Sequence, residues 1–122
     1  MPSLMDEIVG GGKPPAPDPR FPHAPEGWTP ARATEAARSE GLELGDGHWE
    51  TVRALQEYYA RHEAHTVQLR GLHDALGEKF HRLGGLRYLY TLFPGGPVAQ
   101  GCRIAGLTAP AGATDRGFGS VA

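Results

Sequence analysis

Trp49, Val52, Leu55 and Tyr59 recur at intervals of three and four, the spacing that gathers side chains on one face of an α-helix. Leu69, Leu72, Leu76 and Phe80 repeat the pattern. The first series predicts a helix from near Asp46 to about Ala60, and the second a helix closed by Gly84-Gly85. Upstream, Thr29 reads as an N-cap, Pro30 as a first helical residue and Gly41 as a stop, so Ala31, Ala33, Ala36 and Ala37 fall in a helix near residues 30 to 40. Leu86 to Phe93 is short and densely apolar and must stop at Pro94. Its Leu86, Leu89 and Phe93 are expected in the core, with the hydroxyls of Tyr88 and Tyr90 nearer the edge. Gly95-Gly96-Pro97 turns the chain, and Pro97 is suited to open a fifth helix that ends at Gly106. Within it Val98, Cys102 and Ala105 share a face, while Arg103 projects to another side. The pattern is that of an all-α protein, a small orthogonal bundle of about five helices with no internal repeat.

The two ends lack this periodicity. Residues 1 to 27 contain Gly10-Gly11-Gly12 and seven prolines and read as a flexible N-terminal arm. Residues 108 to 122 carry Gly, Ala and Pro with little apolar repeat and read as a flexible C-terminal tail. The helical domain is thus expected over residues 28 to 107. A chain of 122 residues suits one such domain and leaves little room for a second.

A net charge of −2 argues against a generic nucleic-acid binder but conceals an asymmetry. Residues 1 to 60 hold 5 Lys/Arg against 10 Asp/Glu, whereas residues 61 to 122 hold 7 against 4. A mild basic bias in the second half suits an acidic partner or a sulfur anion, and equally suits ordinary solvated helix faces. No apolar run approaches the roughly 20 residues of a membrane span, and the N-terminus lacks a secretion signal, so a cytoplasmic protein without membrane attachment is expected. One unpaired cysteine, Cys102, fits that compartment and must carry any thiol chemistry.

Other candidate groups are weaker. His62 and His65 have a spacing that could place two imidazoles on one helical face, with His73 and His81 further along, but two ligands do not close a metal site, and exposed histidines are the better reading. His48-Trp49-Glu50 reads as a helix start with a core tryptophan and not as an acid/base pair. No nucleophile elbow, phosphate loop or paired-carboxylate pattern is present, and no cofactor or metal is expected. A helix-turn-helix reading fails for want of a concentrated Lys/Arg recognition face, so direct nucleic-acid binding is not expected.

The run Tyr88-Leu89-Tyr90-Thr91-Leu92-Phe93-Pro94-Gly95-Gly96-Pro97, continuing through Gln100, Cys102, Ile104, Ala105, Gly106 and Leu107, resembles the C-terminal signature of the DsrC/TusE family of sulfur-relay proteins. Gly41-Leu42-Glu43-Leu44, Gly47-His48-Trp49-Glu50-Thr51-Val52-Arg53, Tyr58-Tyr59, and Arg70 with Leu72 resemble upstream family motifs in the same order. The resemblance spans residues 28 to 107. It departs from the family at Gly45, where a capping Thr or Ser is usual, and at Asp74, where a basic residue is usual. It implies an all-α domain preceded by a small β-hairpin, whose ladder would be shortened here by Pro14, Pro15, Pro17 and Pro19.

The function implied is carriage of sulfur on cysteine, handed between partner proteins. Those partners would be a sulfite reductase-like enzyme, a heterodisulfide reductase-like enzyme or a TusBCD-like complex serving tRNA thiolation. The chain would then be at most a sulfurtransferase-type carrier, with no independent catalytic site. In the family the working sulfur sits on a near-terminal arm cysteine; the matching position here is Ala113, and nine residues follow it. Cys102 matches the helix cysteine that closes a disulfide with that arm in DsrC-like members. Two readings stay open from the residues alone. Cys102 is a single thiol that carries or senses sulfur, or it is a buried structural thiol in a scaffold retained as a regulatory or docking module.

Overall fold

The computed structural model describes residues 18 to 113. Five α-helices follow in order: α1 (Pro30–Ser39), α2 (Asp46–Arg61), α3 (Leu69–Lys79), α4 (Leu86–Leu92) and α5 (Ala99–Ala105). Single 3₁₀ turns, Ala64–Thr66 and His81–Leu83, flank α3. No strand occurs among the described residues, and residues 1 to 17 of the segment expected to hold a shortened β-hairpin lie outside them.

The helix starts follow from local chemistry. Thr29 Oγ1 accepts from Arg32 N–H at 3.1 Å, and Pro30 occupies the first helical position, where its missing donor costs nothing. At α2 the family-type capping hydroxyl is replaced by Gly45, and His48 supplies the cap from inside: its Nδ1 accepts from Gly45 N–H at 3.0 Å. The other ring nitrogen, Nε2, must then carry the proton, and it donates to Leu92 O at 2.8 Å. One buried histidine therefore starts α2 and ties it to the end of α4.

α5 occupies the centre and packs principally on α2 and α1, while α2, α3 and α4 pack against one another. Every residue of α5 except Arg103 is buried. Ala33 and Ala37 on α1 keep that contact close. Gly101 does the same towards α2, since a Cβ there would sit 2.9 Å from Leu55 Cδ1, inside any normal contact. Leu55, Val52, Leu72, Leu89, Phe93 and Ile104 complete the core.

Two expectations are corrected. α5 begins at Ala99 and not at Pro97; Pro97 and Val98 lie in the preceding turn, in which Gly96 O accepts from Gln100 N–H at 2.9 Å. The N-terminal arm expected through residue 27 is packed from Asp18 onward. Phe21, 2 % exposed, stands 5.0 Å from the Trp28 ring and 5.6 Å from the Trp49 ring, with the Arg53 guanidinium 5.2 Å from its centroid. A single aromatic residue among prolines carries no periodic signal, so its burial was invisible to pattern reading. At the other end, Leu107, Ala109 and Ala113 pack on the core.

Truncating this aromatic anchor tests the assignment. Phe21→Ala is expected to cost about 3 kcal/mol of unfolding free energy in urea titrations. A loss below about 1 kcal/mol would show that residues before α1 contribute nothing to the core.

Candidate functional site

Cys102 is the fourth residue of α5, on the side turned to α2, and has no solvent exposure. Its backbone N–H donates to Val98 O at 2.9 Å, so no free helix-start donor faces the sulfur. The thiol donates to Tyr59 Oη, with Sγ and oxygen 3.8 Å apart. That hydroxyl in turn donates to Thr108 O at 2.7 Å. A relay of two hydrogen bonds thus joins the thiol, a buried tyrosine of α2 and the first residues after α5.

Burial pushes the Cys102 thiol up to about 11, outweighing the opposing pulls of the Tyr59 hydrogen bond and of Arg103. Tyr59 is likewise raised well above the ordinary phenol value, first by burial and then by Cys102. Both groups are therefore neutral at physiological pH. Arg103 follows Cys102 in sequence but leaves on the exposed side of the helix, where Nε and Nη2 grip the Glu40 carboxylate at 2.9 and 2.8 Å.

The same carboxylate organises the entry to α5. Gln100 Nε2 donates to Glu40 Oε1 at 2.9 Å, and Gln100 Oε1 accepts from Gly95 N–H at 2.9 Å. Hydrogen bonding from Arg103 holds the Glu40 carboxyl below its usual range despite partial burial. The turn before α5, α5 itself and the C-cap of α1 are thus fastened at one point.

The exit from α5 is fastened as firmly. The last carbonyls of a helix have no partner within it. Here Trp28 Nε1 donates to Ile104 O at 2.8 Å and Gln56 Nε2 donates to Ala105 O at 3.0 Å. Leu107 N–H donates back to Cys102 O at 2.8 Å across Gly106, whose φ of 80° favours glycine.

The remaining sequence candidates fall elsewhere. His62 is the C-cap of α2 and stacks on Tyr58 at 4.1 Å, whereas His65 lies in the following 3₁₀ turn beside Glu63. The two imidazoles do not share a helix face, because α2 ends at Arg61, ahead of both. Among the described residues no cluster of His, Cys, Asp or Glu could hold a metal ion. Glu50 is exposed and pairs with Arg53. Ala113 lines a cavity of about 180 Å³ with Val98 and Ala99, which sets it beside the start of the cysteine helix. Sequence reasoning missed the roles of Tyr59, Glu40, Gln56 and Thr108. Only Tyr59 and Gln100 carried a signal, as polar groups on a core face and in a signature block that must find buried partners.

Comparison with known proteins gives a consistent set of matches. The family model described as DsrC like protein matches residues 16–113. Sulfurtransferase TusE of Salmonella typhimurium is 43% identical over 84 residues, which cover 68% of this chain and 76% of that protein. Sulfurtransferase TusE of Escherichia coli (strain K12) is 39% identical with the same coverage. The NMR structure of Allochromatium vinosum DsrC aligns with a TM-score of 0.59 and 41% identity, covering 70% of this chain and 76% of that one.

The raised thiol value makes a prediction about stability. A thiol near 9 in the unfolded chain and about 11 in the fold binds its proton more tightly when folded. Its contribution is complete below pH 9 and is lost as pH rises through 11. Between these limits the parent is expected to lose about 2 kcal/mol more than Cys102→Ala in urea titrations. Parallel stability curves would show that the thiol is not shielded.

Proposed function

The chain belongs to the DsrC family, and from that premise we propose that it is a sulfur-relay protein whose single thiol, Cys102, takes up and hands on sulfur. The observation that carries the assignment to this residue is its setting. The chain's only thiol sits in the signature block on a fully clamped helix, with its S–H bridged through Tyr59 to the segment after the helix.

A sulfur with no exposure cannot meet a donor, so transfer requires α5 and residues 107 to 113 to part from α2. Opening restores solvent and returns the thiol towards its ordinary value near 8.5, where a thiolate becomes available. The thiolate attacks the outer sulfur of a partner's cysteine persulfide. The donor's S–S bond breaks, a new S–S bond forms on Cys102, and the partner's thiolate leaves. Delivery is the same exchange with the Cys102 persulfide as donor and an acceptor thiolate as nucleophile. Neither step needs an external oxidant or a cofactor. With Ala113 in place of a second cysteine, an intrachain disulfide with the arm has no partner sulfur.

Protein partners follow from the family: a sulfite reductase-like enzyme, a heterodisulfide reductase-like enzyme or a TusBCD-like complex. We place the chain in the cytoplasm on the strength of its unpaired cysteine. Among the described residues no helix is long and apolar enough to cross a membrane.

Incubation of the reduced protein with a persulfide donor is expected to add one sulfur atom to the intact mass, and Cys102→Ser is expected to abolish the gain. No gain in the parent, or a gain that survives in the variant, would exclude Cys102 as the carrier and leave a docking module. In Tyr59→Phe the tie to Thr108 is gone, and alkylation of Cys102 at pH 8 is expected to rise roughly fivefold, the equivalent of one lost hydrogen bond. An unchanged alkylation rate would show that this tie does not restrain opening.

A further inference from the structure

We infer that the corner between α3 and α4 is a preformed docking surface for an acidic segment of a protein partner. The inference deepens the relay reading by naming the chemistry of the partner's contact, and it stands on features remote from the thiol's own hydrogen bonds.

The corner begins where Lys79 ends α3 and continues through His81, Arg82 and Leu83 to Arg87 in the first turn of α4. All five side chains are exposed, and Leu83, at 59 %, is the exposed large hydrophobic residue among those described. Isolated surface leucines are ordinary. This one is distinguished by how it is held and by what surrounds it.

Its backbone is fixed. Leu83 N–H donates to Phe80 O at 3.0 Å, Gly84 N–H to His81 O at 3.1 Å and Gly85 N–H to Phe80 O at 2.9 Å. Gly84 and Gly85 take φ of 122° and 64°, conformations a side chain would strain, and Phe80 anchors the turn at 3 % exposure. A leucine presented on such a turn loses little further freedom when it is covered.

Its surroundings have one sign. From residue 79 to residue 113 the chain has no Asp or Glu, although an even spread of its 14 carboxylates would place about four there. Glu78 and Asp74, back along α3, are the nearest acids in sequence. No ion pair involves Lys79, Arg82 or Arg87 among the described residues. Keeping three cations together without counter-charge costs self-repulsion that an acidic partner would relieve.

Lys79 also lines a groove of about 200 Å³ between α2 and α3 with Ala54, Leu72 and Leu76, where the one carboxylate, Glu57, is already paired with Arg61 at 2.7 Å. An amphipathic acidic segment would meet the corner's cations and its projecting leucine, with Lys79 linking the corner to the apolar recess. A nucleic acid fits less well, because the corner's phenyl ring, Phe80, is buried and Leu83 gains nothing from a phosphate.

The test follows amide NMR shifts of the full chain during titration with a short amphipathic Glu/Leu peptide, its Gln/Leu analogue and a single-stranded RNA oligonucleotide. The Glu/Leu peptide is expected to shift residues 79 to 87 and the groove, with the Gln/Leu analogue at least about tenfold weaker. Arg82→Glu combined with Arg87→Glu is expected to weaken binding about tenfold and Leu83→Ser about fivefold, while Arg38→Glu on α1 leaves it unchanged. Shifts absent from the corner, an equal loss in Arg38→Glu, or tighter binding of RNA at the same residues would overturn the proposal. Sulfur loading of the double variant from a small-molecule persulfide is expected to match the parent. Failure of docking thus leaves the carrier reading standing, and failure of Cys102 to load leaves docking standing.

Discussion

A helix of seven residues has no stability of its own in water, because nucleation costs more than its few hydrogen bonds return. α5 exists only because the rest of the molecule closes around it. Trp28 and Gln56 take its last two carbonyls, Gln100 in its first turn and Arg103 in its last are fastened to Glu40, and Gly101 lets Leu55 lie against its backbone. The hydrogen bonds among these contacts reach back 49 to 76 residues along the chain. Fold and thiol site are therefore one object. Anything that loosens α5 removes the packing between α1 and α2 as well.

That dependence sets the chemical problem. The packing that presents the family's helix cysteine also dries it, so the resting thiol is neutral and inaccessible. Under the relay proposed above, exchange at Cys102 would require a movement along one seam. On one side lie α2 and Tyr59; on the other lie α5 and the segment from Leu107 to Ala113, held by the Tyr59–Thr108 hydrogen bond and by small apolar contacts. Ala113 lies next to the start of the same helix, where a family arm cysteine would meet it.

Belonging to the DsrC family accounts for the scaffold, and the departures show where this chain differs from the pattern. Gly45 in place of a capping hydroxyl is compensated by His48, which reaches back to the same backbone donor. Phe21 draws residues ahead of α1 into the core. Positive charge concentrates in the second half of the chain, where residues 79 to 113 hold no carboxylate.

The order, type and approximate limits of all five helices were legible in the sequence, because apolar spacing, a Thr-Pro start and glycine or proline stops are local signals. Cys102 and Ala105 were rightly placed on the inner side of a helix with Arg103 on another, and the ordered motifs identified the family. Tertiary structure alone decided that Phe21 is core, that α5 starts two residues late, and that His62 and His65 part company at the end of α2. It also decided the state of the thiol. Whether a cysteine is a nucleophile depends on the dielectric around it and on the partners it meets. Tyr59, which joins the thiol to Thr108, lies 43 residues before the one and 49 before the other, a proximity that no local pattern encodes.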